Sequence, residues 1–560
     1  MSKIKIFALG GLNEDGKNMY VVTVDKDIFI FDAGLKYPKD RLLGIDYIIP
    51  DYTYLKNNIK KIKGIFLSHG HESNIGAISD IVMDLPDIPI YAMKYTMEIL
   101  KIQLELDKVV AKNLHVIKPN VKINFGENSI FPIQITHSIP DTTLYVLNTH
   151  DGSIVYTGDF IFDPTMTNHF SCDMGRLAYV GKQNVLCLMT ESMYAEKPGF
   201  TSPKHRVASF IRSVLHDNEN RIIMSVLPAH IYRIQEIFDE VSKTHRKIII
   251  MGKTLQVTIK YLLDNNYLHI NRDKIGDLSN IEDKDVLILT SSDNERPFVN
   301  LDKILNGYDK YIGIKPTDTV FFLDSITDAT EKAAVRICDS IARCGAEVVT
   351  LSKNNITYHA SSEDLMLMLD LINPKYYFPV MGEYRFQVAN ANIASLIGIP
   401  KENILLKQNG DVVEFDNGVL KESNEHIEVN DIMIDGTASE DIGELVLKDR
   451  EMLSDNGIVI VCATLDKKSK EILAGPAILT RGFVYVKDSG DMIKEIERIS
   501  KEKIIENTNN NYVEFNKIKN SIRDEVGKYL YYETECKTNK KYRCCINSND
   551  NISNDSTNTI

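Results

Sequence analysis

What most constrains this chain is a rhythm in its first 200 residues, where apolar runs of strand length are each cut off by a polar loop. "IKIFALGG" ends in two glycines, and "MYVVTV" and "IFIFDAG" are joined by a polar turn at Asp25, Lys26 and Asp27. "IPIYAM", "FPIQITHS", "LYVLNT", "SIVYTGDF" and "VLCLMTES" repeat the pattern. Short β-prone runs bounded by Gly, Asp and Asn read as strands. After "GIFLSHGH" the apolar residues Ile75, Ile78, Ile81 and Val82 fall at helical spacing instead. The combination predicts an α/β layer structure whose functional loops sit at strand ends.

From about 205 to 350 the elements lengthen. "HRVASFIRSVLHD" and "HIYRIQEIFDEVSKT" carry apolar residues at i, i+3 and i+4 around the strand-like "RIIMSVL". "KIIIMG", "VLILTSS" and "TVFFLDS" read as buried parallel strands, because continuous apolar runs suit a sheet covered on both faces. At 356–420 the β rhythm returns in "YYFPVMGEYR" and "VVEFDNGVL", which predicts one domain inserted into another. Residues 421–440 are polar and read as a linker. "IVIVCATLD", "GFVYVKD" and two helical segments then make a small α+β unit. The Asn/Ser/Thr/Asp-rich end predicts disorder.

A net charge of −13 removes any global attraction for nucleic acid, so RNA or DNA would need a local basic patch. Eight cysteines form no CxxC pair, no uncharged apolar run reaches membrane-spanning length, and the start lacks a signal peptide's apolar core. A soluble protein of the reducing cytoplasm is expected.

The sharpest chemical signal is His69-Gly70-His71, directly after the apolar Ile65-Phe66-Leu67. In an extended segment, residues i and i+2 project to one side, so two imidazoles can reach one ion. The plainer reading is a turn in which Ser73 or Asn74 caps a helix beginning near Ile75. His137 and Asp159 end two further apolar runs. Three imidazoles and a carboxylate at successive strand ends suit one divalent ion, zinc or manganese.

The segments "ALGGLNEDGKNMYVV", "FDAGLKYPKDRLLGIDYIIPDYTYL", "HGHESNIGA", "THSIPD", "TGDFIFD", "AEKPGFT", "HASSEDL", "PVMGEYR" and "GPAILTRGFVYVKDSGD" together resemble the ribonuclease J family, in order from residue 4 to about 535. The resemblance implies an α/β fold: a metallo-β-lactamase αββα sandwich with an inserted β-CASP α/β domain and a small C-terminal α+β domain. With the rhythm and composition read above, the sandwich is expected at 1–204 and 351–420, the β-CASP domain at 205–350, the linker at 421–440, the C-terminal domain at 441–535 and a disordered tail at 536–560.

That family implies a two-metal hydrolase acting on RNA, with 5′-to-3′ exonuclease and some endonuclease activity. Its ligand motif is HxHxDH, followed by a His, a bridging Asp and a final His in PVHGE. His69, His71, His137 and Asp159 match it. Ser73, Asn74 and Met381 replace the ligands of the second ion, and Glu72 does not restore the set. Neutral short side chains and a thioether are poor ligands for manganese or magnesium. The resemblance also points to Glu191 and His359 as catalytic residues, and to Asn355, Ile356, Thr357, Tyr358 and His359 as the substrate loop. Tyr358 stands where the family has a glycine, and a tyrosine there obstructs an approaching phosphate. Tyr232 replaces a histidine, with His230 two residues earlier as a compensating candidate, and the loops "SSDNERP" (291–297) and "FLDSITDATEK" depart from the family's glycines.

Asp32, Lys36 and Asp46 read as loop-fixing residues, and the charged helix 491–506 as a solvated face with i,i+4 pairs. Lys537, Lys540, Lys541 and Arg543 form a small basic group able to touch phosphates. The expectation is therefore a degenerate paralogue, feeble as a nuclease, that binds RNA. It would assemble as a homodimer or hetero-oligomer, with an active family member, in mRNA decay and rRNA maturation. The alternatives are a self-sufficient slow nuclease using one ion and a non-catalytic RNA-binding protein.

Overall fold

The computed structural model describes residues 2–38, 42–291, 298–323, 326, 330–352, 354–436, 444–466, 469, 471–483, 490–509, 514–534 and 543–548. The chain divides into two units. The first holds Met1–Tyr37 and Tyr47–Ile432, the second Pro38–Asp46 and Met433–Ile560.

In the first unit, two sheets face each other. An eight-stranded sheet runs in the order Val419–Lys421, Val413–Asp416, Lys3–Gly10, Met19–Val24, Asp27–Phe31, Ile62–Leu67, Ile90–Ala92 and Leu114–Val116. A six-stranded sheet runs Tyr376–Pro379, Val185–Thr190, Gly152–Tyr156, Thr143–Thr149, Asn128–Gln134 and Ile123–Phe125. Side chains alternate across a strand, so Phe29 and Phe31 meet Tyr145, Tyr156 and Met189 between the sheets. Leu144, Val146, Val155 and Leu188 point the other way, onto Leu177, Leu365, Met368 and Ala394 of helices Met174–Gly181, Ser362–Ile372 and Tyr384–Leu396. The result is the expected αββα sandwich.

The inserted domain is a five-stranded, wholly parallel sheet, ordered Lys247–Ile250, Val286–Thr290, Ile222–Ser225, Thr319–Phe322 and Glu347–Thr350. Ile222, Met224, Ile248 and Leu287 pack on helices Ala208–Asp217, Ile231–Ser242 and Lys253–Asp264. Ile223, Ile249 and Ile288 pack on Val299–Leu305 and Glu331–Arg343. The continuous apolar runs in the sequence are explained by these two covered faces. Ile139, Ile161 and Phe170 of the sandwich join the first cluster beside Val226 and Ile231, so sandwich and insertion share a core at the strand ends.

Two sequence expectations change here. The polar stretch expected as a linker is not free over its described residues, 421–436. Val412 N donates to the Glu425 carbonyl, Ile427 N donates to the Gly410 carbonyl, and Asp431–Ile434 is a strand. Asp431 pairs with Lys17 and Lys36, two largely buried ammonium groups that share Glu14 and need a second carboxylate. The tail is also not wholly irregular, because Arg543–Ser548 forms a strand parallel to Ile458–Leu465. The short run Cys544-Cys545-Ile546 satisfies that strand's edge, a signal hidden by the polar average around it.

The second unit packs the sheet Ile472–Arg481, Ile458–Leu465 and Arg543–Ser548 on helices Gly490–Thr508 and Phe515–Thr534. Val459, Val461, Ala463 and Leu465, every second residue of one strand, meet Ile496, Ile504, Ile518 and Ile522. The opposite side of the first helix carries Arg498 between Glu495 and Glu502, the predicted solvated face. Asp46 accepts from Gly436 N at 2.8 Å, a loop-fixing role. Lys537, Lys540, Lys541 and residues 292–297 lie outside the described residues. No helix among the described residues is long and apolar enough to cross a membrane.

Candidate metal centre

The strand Ile62–Leu67 delivers His69 and His71 at its C-terminal end. The segment after Asn128–Gln134 delivers His137, and the turn after Gly152–Tyr156 delivers Asp159. That turn depends on Gly158, whose φ is +61° and whose position would bring a Cβ within 2.9 Å of Ser68. The four side chains converge. His69 Nε2 lies 3.1 Å from His71 Nδ1 and 3.2 Å from Asp159 Oδ2, and His137 Nε2 lies 3.4 Å from His71 Nδ1.

Hydrogen bonding on the far side of two rings fixes which nitrogen is bare. Ser68 Oγ donates to Asp32 Oδ2 at 2.7 Å, so it accepts from His69 Nδ1 at 2.9 Å and leaves Nε2 as a lone pair. His71 Nε2 donates to the Ala229 carbonyl at 3.2 Å and leaves Nδ1 bare. Burial, then the neighbouring imidazoles, hold His71 and His137 well below the usual histidine range, hence neutral. Burial pushes the Asp159 carboxyl up, but its contacts with the surrounding imidazoles, His69 and His359 foremost, more than offset it and hold it well below the usual carboxylate range, ionised. Lone pairs facing one another across 3.1–3.4 Å repel unless a cation lies among them. Those separations match the edge of a tetrahedron with ligand bonds of about 2.0–2.1 Å, about 3.3 Å. The donor set fits a divalent ion held by three imidazoles and a carboxylate.

Asp159 also faces a second group. His359 Nδ1 lies 2.8 Å from Glu191 Oε2 and 3.7 Å from Asp159 Oδ1. Glu191 Oε1 accepts from Phe160 N and Ala360 N, which locks the carboxylate to both loops. Burial raises the Glu191 carboxyl, while the Glu191 charge and hydrogen bond, then Asp159, outweigh burial at His359 and raise its pKa. The pair therefore holds its proton tightly beside the cluster.

The remaining sequence candidates are placed differently. Neither Ser73 nor Asn74 caps the helix, whose N-cap is His71. Ser73 Oγ donates to Asn74 Oδ1 at 2.7 Å, and buried Asn74 Nδ2 donates to Asp32 Oδ2 at 2.8 Å. A Cβ at Gly34 would fall 1.5 Å from the Ser73 carbonyl oxygen, so glycine alone admits this loop against its neighbour. Met381 packs in the core between the sheets. In the 355–359 loop, Asn355 donates to the Lys204 carbonyl, Ile356 and Tyr358 are buried, and Thr357 Oγ1 pairs with Tyr194 Oη at 2.6 Å. Tyr358 lies among the rings of His205, His230 and His137, under the Arg233 guanidinium. Tyr232 packs edge-on against Phe170, while His230 ends nearer the site, 5.6 Å from the Tyr358 ring.

Sequence reasoning missed Ser68, the Ala229 carbonyl and the buried Asp163, which accepts from His205 at 2.8 Å and from Arg206. Ser68 was visible as the polar residue stopping an apolar run. A backbone carbonyl contributed by a distant domain leaves no signal.

Comparison with known proteins agrees with this architecture. Family models match at residues 12–176 (Metallo-beta-lactamase superfamily), 219–341 (Ribonuclease J, beta-CASP domain) and 445–537 (Ribonuclease J C-terminal domain). Ribonuclease J2 of Bacillus subtilis (strain 168) is 36% identical over 539 residues, covering 95% of this chain and 97% of the relative. Ribonuclease J 2 of Streptococcus pyogenes serotype M3 is 34% identical over 548 residues, covering 96% and 98%. A crystal structure of a protein of unknown function from Enterococcus faecalis V583 superposes with a TM-score of 0.53 at 16% identity, over 74% of this chain and 100% of that one, a likeness of fold alone. With identity above one third sustained across sandwich, insertion and C-terminal domain, the chain belongs to the ribonuclease J family.

Proposed function

We propose that this protein works in RNA processing as a one-ion member of its family, mainly as the low-activity subunit of a complex with a fully liganded relative. One observation carries the reading: the positions of the second ion are consumed internally. Asn74 donates to Asp32, Ser73 donates to Asn74, and Met381 is core. His69, His71, His137 and Asp159 would hold a single zinc or manganese ion, which when bound lowers the pKa of a water and polarises a phosphoryl oxygen. A second cation, where one is held, would neutralise the leaving oxygen, and Ser73, Asn74 and Met381 are poor ligands for it. The chain's own residues then do the remaining work. The His359–Glu191 pair holds a proton within reach of Asp159, and the buried Tyr358 fills space beside the ring of His137. RNA is the expected ligand and the cytoplasm the expected compartment.

The test is hydrolysis of 5′-monophosphorylated single-stranded RNA by the purified chain with manganese, magnesium or zinc, beside His69→Ala. Activity no higher than that variant's, together with co-elution with a fully liganded family member, is the expected result. Activity well above it, with no association, overturns the reading. That outcome would favour the second one, a slow self-sufficient nuclease, for which the intact cluster and the adjoining His359–Glu191 pair speak.

A further inference from the structure

The four cluster residues are not supported from one side. His69 is held by Ser68, itself bonded to Asp32, both just past strand ends of the sandwich. His71 is held by the carbonyl of Ala229, which belongs to the loop following the first strand of the inserted domain, Ile222–Ser225. The same carbonyl accepts from Ser138 Oγ at 3.2 Å, and Ser138 Oγ lies 3.3 Å from His71 Nε2. The Ser138 carbonyl in turn accepts from Tyr232 N at 2.9 Å, at the start of helix Ile231–Ser242. Ser138 directly follows His137, so the peptide carrying a second histidine is also fastened to the insertion. Around these bonds the packing is continuous, with Ile139 in one cluster with Val226 and Ile231. In a doubly wound parallel sheet, the loops beyond the strands' carboxyl ends are where ligands are met, and here that loop meets the ligands of a metal.

We propose that Ser138 and the Ala229 carbonyl are positioning groups, through which the inserted domain sets the orientation of His71 and His137 and so couples its own ordering to metal affinity. The inference rests on the reading that the cluster binds a divalent ion. Outer hydrogen bonds fix the tautomer and direction of a ligating imidazole, and their loss typically costs about 10–100-fold in metal affinity. Coupling between two sites is reciprocal. An ion that needs His71 turned toward it stabilises the bond from His71 to Ala229, and therefore the loop that supplies that carbonyl. The insertion then reports on the state of the metal centre, and whatever the insertion binds acts back on the metal.

The experiment uses the full chain with Zn²⁺ as probe, measuring binding by chelator competition and backbone amide exchange across residues 226–234. Ser138→Ala is expected to weaken Zn²⁺ binding about tenfold, and Zn²⁺ is expected to slow exchange in 226–234 severalfold in the parent chain. Ser79→Ala, whose hydroxyl bonds Asp107 elsewhere in the sandwich, serves as control and keeps parental affinity. Unchanged exchange at 226–234 in a chain that binds Zn²⁺ overturns the coupling, even if Ser138→Ala weakens binding, because a serine acting only within the sandwich would send no signal to the insertion. Zn²⁺ affinity equal in Ser138→Ala and parent also overturns it. A parent chain that binds no more Zn²⁺ than His69→Ala sinks the metal reading itself, and this proposal with it.

Discussion

Four residues separate His69 from Asn74, both fully buried, and the two solve the burial of polar atoms in opposite ways. At the His69 end, three nitrogens and a carboxylate point at one another while the outer nitrogens of His69 and His71 are held by Ser68 and the Ala229 carbonyl. At the Asn74 end, polar atoms are satisfied by protein: Ser73 on Asn74, Asn74 on Asp32, and Asp32 also accepting from Ser68 and Tyr156. Buried polar groups cost free energy unless paired. The first arrangement is one that a cation among its lone pairs would stabilise, while the second is satisfied by protein groups alone. On the one-ion reading proposed above, the second position is a closed hydrogen-bond network rather than a hole.

The sharpest way to break this contrast is to remove a ligand. His137→Ala is expected to reduce Zn²⁺ affinity about a thousandfold, about 4 kcal/mol, as measured by chelator competition. Loss of less than tenfold would mean the cluster is not the site. The next largest effect comes from converting the second position into the first kind. Ser73→Asp, Asn74→His and Met381→His combined should raise bound Mn²⁺ from one to two equivalents per chain. The same variant should speed RNA hydrolysis about a hundredfold, about 3 kcal/mol. Met381 stands at φ +56°, where histidine is better tolerated than methionine, so that exchange carries no backbone cost. Asn74→Ala attacks the network instead. It takes a donor from buried Asp32 and should cost about 2 kcal/mol in urea unfolding without changing Zn²⁺ affinity more than a few fold.

Much of this was legible in the sequence because it is written in period and in strand ends. Ile62–Leu67 followed by His69 and His71 suggested two imidazoles at one sheet edge, with a capping turn as the plainer alternative, and the continuous apolar runs of the insertion suggested a sheet covered on both faces. What stayed hidden was carried by groups without a sequence pattern. Ala229 acts through its carbonyl, a contribution any residue can make. Asp431 looked like one acid among many in a polar stretch, and its role follows from Lys17 and Lys36, more than 390 residues away, being buried. The strand Arg543–Ser548 was obscured because a window average over Asn and Ser hides three apolar residues that an exposed sheet edge can use.

The contrast has a control outside the four cluster residues, and it gives the smallest expected effect. Glu236, in the helix Ile231–Ser242, is buried and accepts through Oε1 from Val207 N and Ala208 N, so it belongs with the protein-satisfied kind. Among the described residues its Oε2 has no hydrogen-bond partner, and burial, opposed by those two N–H groups and by Arg233, pushes the carboxyl up to about 7. A carboxyl whose folded pKa lies above its unfolded value near 4.5 holds a proton in the folded state that the unfolded chain has already lost. Stability therefore declines as pH rises through the window from about 4.5 to about 7 and is flat with respect to this group outside it. Glu236→Gln keeps an oxygen for the two N–H groups and removes the titration. Relative to the parent, the variant should gain roughly 1–2 kcal/mol between about pH 5 and about pH 8, read from urea midpoints. A parallel pair of stability curves would show that Glu236 is ionised throughout, and that a buried carboxylate in this fold can hold its charge on two backbone donors without an ion. The closed network around Asp32 would then need no fourth donor, and the predicted cost of Asn74→Ala would shrink with it.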